Sequence, residues 1–534
     1  MTQLRTQTKE YWESSDFALT EADVEQIYNH LLEVEKPQTL AVLTQVVVQQ
    51  RIAAEKNRLK PRLAGRIIYQ PKKEYQPADK LVFPALQFAH GTVKEVRPAV
   101  NPRFGAFNVI KVELEDENGQ SKKSKEFAAN LSLEDHPLNA GDGMDALNME
   151  SPTPEEIMAQ YGDVLSARID KGLHAHPEFI RLGGKWFVKG LLTEINVGHL
   201  HLSEAVLEVS EGGPLRTADI LVHLDLNPKI TPEVQEFSLN YGLINDERFD
   251  EVAPPGQVLW YLRRMEPENV REIPDRLRLQ QNPYDRALLN SRLLEIEREL
   301  DDEWSDLNPP TVPRPVTVTV TYPHRWAGTL PLSSRVRPLF PLGRSEHQII
   351  TLIDEEADYA IDAWIVSEGR YIAGLGGWYR ENKIPIGGFI QLEPGTEPGT
   401  AYISYSKRPK PRREYVRLAA VENGKLSFSI EKRAIGCDFD DLLILGTDYV
   451  AAVDALFRSS PNQHRPLAAL IAEVMPSLAS ANPQQTVHAK TIYSAVNMLR
   501  RVTPGAVFAE LVRHSAFVSV GDQYWQFDRS RWQS

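Results

Sequence analysis

HPEFIRLGGKWF (176–187), DERFDEVAPPGQVLWYL (246–262) and HSAFVSVGDQYWQF (514–527) share one grammar. A helix end runs into Phe179, Phe249 or Phe517. After two further residues comes Leu182, Val252 or Val520, then a turn, then Trp186, Trp260 or Trp525. The pattern reads as a short helix entering a two-stranded wing, with the Phe and the Trp folded back onto the helices as the core of a small domain. The middle copy has the longest turn and carries Pro254 and Pro255 in it.

Working outward, helical text precedes each copy. PEEIMAQYGDVLSARIDKGL leads into the first, and SEAVLEVSEGGPLRTADILVHL with PEVQEFSLNYGLIN leads into the second. This predicts winged-helix-like units over 153–192 and 193–265, and a C-terminal winged helix within 436–534. Upstream, Thr20 is a candidate N-cap with Asp23 at the capping-box spacing. Pro37 stops that helix, and TLAVLTQVVVQQRIAAEKNRL starts another, giving an N-terminal helix-turn-helix over 1–75. Residues 88–131 alternate like strands around Glu117-Asn118-Gly119, as in a small β-barrel over 76–135. Residues 132–155 read as a linker. A charged helix and the proline-rich NPPTVPRP fill 266–315, and 316–435 is dominated by strands. The expected class is α+β and multidomain: several winged-helix or helix-turn-helix units, a small β-barrel, and a β-rich pseudobarrel domain.

Whole-chain properties agree. A chain of 534 residues exceeds what one hydrophobic core supports. Cys437 is the only cysteine, which excludes an internal disulfide and any multi-cysteine zinc site. MTQLRTQTKEYWESSDF lacks a signal-peptide apolar stretch, and no segment reaches the ~20 apolar residues of a membrane span, so a cytoplasmic location and no membrane partner are expected. Net charge is −13, which disfavours nucleic acid as a whole-chain argument. The acid is concentrated, however, in 113–117, 131–145 and 295–306, whereas 311–435 holds 17 Lys+Arg against 13 Asp+Glu. Local stripes bind DNA; totals do not.

The stretch TIYSAVNMLRRVTPGAVFAELVRHSAFVSVGDQYWQF resembles the HARE-HTH family of winged-helix domains, with weaker internal echoes at 153–192 and 214–262. That family includes the N-terminal domain of the RNA polymerase delta subunit and occurs in chromatin and restriction proteins. The resemblance implies nucleic-acid-associated work, although the long acidic tail of the delta subunit has no counterpart here. DAWIVSEGRYIAGLGGWYRENKIPIGGFIQLE is similar to a DNA-binding pseudobarrel, through Gly377, Trp378, Gly387, Gly388 and Phe389. Gly387-Gly388 stands where that fold usually has Gly-Asp.

Two basic stripes and one pair are the candidate nucleic-acid contacts. The first is Arg51, Lys56, Arg58, Lys60, Arg62 and Arg66, continuing to Lys72 and Lys73, where a recognition helix and the following strand would grip phosphates. The second is Lys407, Arg408, Lys410, Arg412, Arg413 and Arg417, read as a proline-stiffened loop. Arg500 and Arg501 border the C-terminal winged helix, as does Arg513, where a helix-end cation also relieves the dipole. The competing reading of every stripe is a solvated face.

Enzyme chemistry finds little. His174/His176 and His199/His201 would share a strand face but lack a third ligand. Asp438, Asp440 and Asp441 read as helix-capping charge. Asp362 with Glu368 and Arg370 lacks the lysine of a nuclease set, and GLGGW (374–378) lacks the GK[ST] of a phosphate loop. The expectation is a non-enzyme without catalytic residues, metal, cofactor or small-molecule substrate, binding DNA in transcription or chromosome work. The alternatives are an adaptor docking on RNA polymerase or another assembly, and a metal-dependent nuclease or restriction-type protein.

Overall fold

In a computed structural model the chain divides into two compact units, residues 1–194 with 227–238, and residues 195–226 with 239–534. The structure describes all residues except 1–4, 15–16, 64, 84–85, 87–88, 103, 116–122, 133–138, 140–152, 306, 308–314, 344 and 533–534. The Glu117-Asn118-Gly119 turn and most of the 132–155 linker and the 308–315 connector therefore lie outside the described residues. Helices and strands are both abundant and the strands fall into several sheets, so the chain is α+β. No helix among the described residues is long and apolar enough to cross a membrane.

After a 3₁₀ turn (Arg5–Gln7) and a short helix (Lys9–Glu13), the first unit continues with α1 (Glu21–Val34), β1 (Gln38–Thr39) and α2 (Leu40–Leu63). The Thr20 capping box forms as its spacing requires: Thr20 Oγ1 accepts from the Asp23 amide at 3.3 Å, and the Thr20 amide donates to Asp23 Oδ2 at 2.9 Å. Five strands follow, β2 (Ile67–Ile68), β3 (Lys80–Phe83), β4 (Ala89–Asn101), β5 (Gly105–Glu115) and β6 (Lys123–Ala129), and then α3 (Pro154–His174), β7 (Phe179–Leu182) and β8 (Lys185–Val188). β8 pairs on one side with β7 and on the other with β1, aligning Trp186 with Gln38. Ile157, Tyr161, Leu165, Ile169 and Leu173 recur every fourth residue and put one apolar stripe of α3 inward. That stripe packs with Ile27 and Leu31 of α1, Leu43 and Val47 of α2, and Trp186 in a single core.

Segments 1–75 and 153–192, read as separate domains, thus share one core. Neither could cover its own apolar stripe alone. The intervening β2-β3-β4-β5-β6 sheet is inserted between α2 and α3. It is a meander, antiparallel except at β2–β3. Its core holds Tyr69, Tyr75, Leu81, Phe83, Ile110 and Val112. Backbone hydrogen bonds from Asn130 to Lys73 (2.9 Å) and Leu131 to Pro71 (2.8 Å) draw its ends together.

The second unit opens with α4 (Val197–Val209), β9 (Leu215–Arg216) and α5 (Thr217–Leu221). Next come α6 (Pro232–Ile244), whose residues up to Ser238 belong to the first unit, β10 (Phe249–Glu251) and β11 (Leu259–Leu262). The strand order β10-β11-β9 repeats the arrangement of the first unit. Trp260 is buried, and its Nε1 donates to Asn240 Oδ1 (2.9 Å) and faces Thr217 Oγ1 (3.1 Å). The equivalent indole nitrogens of Trp186 and Trp525 are buried without a hydrogen bond. Trp260→Phe is therefore expected to cost about 1–3 kcal/mol, because it strands buried polar partners, whereas Trp186→Phe and Trp525→Phe lose only packing. Denaturant titration of the three variants checks this; equal losses would contradict it.

After α7 (Ser291–Leu300) comes a seven-stranded sheet with two short helices. Its elements are β12 (Val316–Thr319), α8 (Tyr322–Ala327), β13 (Thr329–Pro331), β14 (His347–Asp354), β15 (Tyr359–Val366), β16 (Tyr371–Ala373), α9 (Gly376–Glu381), β17 (Phe389–Pro394) and β18 (Thr400–Tyr405). Order runs β12-β17-β18-β14-β15-β16-β13, parallel only between β14 and β18. A separate ribbon follows, β19 (Lys407–Glu422) and β20 (Lys425–Cys437). It turns at Asn423-Gly424, both left-handed (φ 49° and 71°) as a two-residue hairpin requires. β21 (Ile444–Thr447) runs parallel to β19. The 316–435 region is thus a sheet plus a ribbon.

The chain ends with α10 (Val450–Arg458), α11 (Leu467–Ser480), β22 (Val487–His488), α12 (Ala489–Leu499), α13 (Pro504–Arg513), β23 (Phe517–Gly521) and β24 (Tyr524–Phe527), with sheet order β22-β24-β23. Helix–strand–helix–helix–hairpin occurs three times in this chain.

Candidate nucleic-acid interface

β19 is where most of the second basic stripe lies, and it is a strand rather than a loop. Lys407 pairs with Cys437 and Arg412 with Ile435, so 408–411 bulge out opposite Gly436 alone. Pro409 and Pro411 have no N–H to offer a ladder and sit in that bulge. Arg408 is consumed there: its Nε bonds Asp438 (2.7 Å) and its Nη1 bonds Glu414 (2.8 Å). Arg417 donates to the Asp441 carbonyl. Lys407 meets Glu356 at 3.0 Å in an exposed pair of little energetic weight. Lys410, Arg412 and Arg413 are exposed and form no ion pair within 4 Å among the described residues, though the charge of Arg412 reaches Asp438. On the Arg413 face of the ribbon, Tyr415 is 66% exposed and Lys432 lies 4.7 Å over its ring, across the pair Tyr415↔Lys432. Cations beside an exposed aromatic suit phosphates and bases alike.

A cleft of about 770 Å³ has as one wall Leu445–Thr447 of β21, which pairs with Arg417–Ala419 of β19. Its charged lining is Arg325, Arg380 and Lys383, and no carboxylate lines it. Trp326, 42% exposed, forms an aromatic edge. Arg325 Nε donates to the Ile384 carbonyl at 2.7 Å, which fixes the guanidinium. Burial, with the like charge of Arg380, holds Arg325 below its ordinary pKa, the mark of a cation lacking a counter-ion. Gly328 and Gly376 meet at the floor. A Cβ on Gly328 (φ 67°) would come within 2.9 Å of the Gly376 Cα, so only glycine fits. These residues are spread over 325–447 and form no stripe in the sequence.

Arg500 and Arg501 cannot serve as phosphate contacts. They are 3% and 1% exposed. Arg500 Nη1 donates to the Arg465 carbonyl at 2.7 Å. Arg501 Nη2 meets Asp302 Oδ2 at 2.6 Å and Glu303 Oε1 at 2.7 Å. Tyr493 Oη donates to Asp302 at 3.0 Å, and His324 Nε2 lies 3.1 Å from Glu303 Oε2. The acidic run around α7 is therefore partly internal: it neutralises a buried arginine. Tyr284 and α7 also cover α13, whose residues Pro504 to Ala509 are buried, and the approach of Tyr284 leaves no room for a Cβ at Gly505.

In the first unit Arg51 is likewise structural. It donates to both Asp23 oxygens (3.1 and 2.6 Å) and to the Ala18 carbonyl (2.7 Å), and lies 4.1 Å over the Phe17 ring. It ties α2 to the start of α1. Lys56, Arg58, Lys60 and Arg62 fall on the C-terminal half of α2, but their side chains lie outside the described residues. Arg66 is partly buried, and Lys72 Nζ donates to the Asn139 carbonyl. The exposed face of α3 carries Glu155, Glu156 and Asp163 against Lys171.

Neither histidine pair lies on a strand face: three of the four are on helices and His176 is in the loop after α3. His174 ends α3, and His199 and His201 sit in α4, where His199 Nδ1 accepts from the Asn196 amide. Asp438 and Asp440 are paired with Arg408 and Lys490. Comparison with known protein families, curated proteins and solved structures found no match.

Proposed function

We propose that this chain is a non-enzymatic DNA-binding protein that holds the phosphate backbone with the β19–β20 ribbon and the adjoining cleft, its three helix–strand–helix–helix–hairpin units being winged helices. The carrying observation is the set of exposed cations Lys410, Arg412 and Arg413, without an ion pair among the described residues, together with a carboxylate-free cleft lined by Arg325, Arg380 and Lys383, on a chain of net charge −13. A two-stranded ribbon fits the major groove, and an aromatic beside cations adds stacking. Anisotropy of a labelled random duplex with the full chain at 50 and 200 mM salt tests the reading. Affinity is expected to fall steeply with salt. Absence of binding at 50 mM would remove direct DNA contact.

The adaptor reading has its own support. In a helix-turn-helix the second helix enters the groove, yet α13 is covered by the chain itself and α3 shows an acidic face. Those two units suit docking on protein better than groove reading, so the DNA contact is assigned to the ribbon and cleft.

A further inference from the structure

Asp250 in β10, Glu266 just after a 3₁₀ turn at 263–265, and His347 at the start of β14 converge in the second unit from three separate segments. One ligand atom from each lies within 4.8 Å of the others. His347 Nδ1 is 2.9 Å from Asp250 Oδ2 and 3.2 Å from Glu266 Oε2. Donor atoms around a tetrahedral ion at 2.0–2.2 Å stand about 3.4 Å apart, so the spacing is close to that of a coordination shell. The Glu266 side chain is fully buried, its oxygens fall outside strict hydrogen-bond geometry, and the polar groups that face it are His347 and Asp250 of the same cluster. Two buried acids thus face a single imidazole, and a cation held between them would balance their charge. Arg263 reaches only the far oxygen of Asp250, at 3.4 Å, from an exposed position.

We propose that Asp250, Glu266 and His347 bind one divalent transition-metal ion, Zn²⁺ or Mn²⁺. One imidazole and two carboxylates, with Glu266 able to offer both oxygens, match the ligand preferences of those ions rather than of Ca²⁺ or Mg²⁺. The site is structural. Its side chains are 10%, 0% and 13% exposed, which leaves no open position for a substrate. Bound metal would lock the hairpin β10–β11 against β14, where the Ile349 amide already donates to the Val252 carbonyl at 2.8 Å.

The test is calorimetric titration of the EDTA-treated full chain with ZnCl₂, and separately with MnCl₂. One ion per chain is expected, with micromolar or tighter affinity and a raised melting temperature. Glu266→Gln and His347→Ala, checked for folding by circular dichroism, are each expected to weaken binding about 100-fold. Should both variants fail to fold, Co²⁺-loaded wild-type protein decides: a single hyperfine-shifted imidazole N–H resonance supports the site. No saturable binding by the wild type overturns the proposal, as do folded variants that bind like wild type or a Co²⁺ adduct without a histidine signal.

Discussion

Replacing Arg501 with methionine is expected to remove about 3–5 kcal/mol of stability from the second unit, read as an earlier denaturant midpoint than wild type. Methionine fills much of the volume but leaves Asp302 and Glu303 buried without their cation, and breaking one side of a buried pair has that cost. Both acids are almost wholly buried, so water cannot take over the role of Arg501. Burial pushes the Glu303 carboxyl up, but Arg501 and then His324 outweigh it and hold the group down to about 2. Folded Glu303 therefore binds its proton more weakly than it does in the unfolded chain. Its contribution is complete above the ordinary value of 4.5 and is lost as pH falls from there towards about 2. In Arg501→Met the stranded acids take up protons instead, so the acid limb of the stability curve should flatten. A variant as acid-sensitive as wild type would show that Glu303 is not held by Arg501.

Removing the three exposed cations of the ribbon, Lys410, Arg412 and Arg413, to alanine is expected to lower duplex affinity on the order of 10²-fold at 0.1 M salt. The slope of log K against log salt should become shallower by about 2.7, since each phosphate contact contributes about 0.9. Folding should be untouched, because these side chains form no ion pair within 4 Å among the described residues and are exposed. Arg408→Ala is the internal control: it sits in the same stripe, but Glu414 and Asp438 already neutralise it. Its loss should change stability and leave the salt slope alone. An unchanged slope in the triple variant would take the ribbon out of the interface.

The Phe–turn–Trp grammar and the Thr20–Asp23 cap were readable because each is local: the partners lie within a turn or a hairpin of one another. The pairing of β1 with β8 was not. Gln38 and Thr39 form a two-residue strand with no alternation to betray it, and its partner Trp186 lies far along the chain. That missing link is why the first unit read as a helix-turn-helix, a barrel and a winged helix in series. Charge misled in a different way. Arg500 and Arg501 looked like surface because arginine usually is, yet the complement of Arg501, Asp302-Glu303, stood in the sequence within an acidic run without an evident purpose. KRPKPRR looked like a loop because proline interrupts strands, and a bulge accommodates it. The cleft arginines and the Asp250–Glu266–His347 cluster come from distant segments, and only folding brings them together.

The five-stranded sheet inserted between α2 and α3 also sets a timetable. As the chain leaves the ribosome, α1 and α2 emerge with their apolar stripes bare, and the residues of α3 that cover them are not made until the inserted sheet has been translated. At ordinary synthesis rates that interval lasts on the order of ten seconds. During it the inserted sheet, with its own core, forms first and brings its two ends together through the Asn130–Lys73 and Leu131–Pro71 hydrogen bonds. A fragment cut after residue 75 would meet the cell with its sticky side outward, and is expected to be captured by chaperones or to aggregate, whereas one extending through 238 carries everything the first core needs.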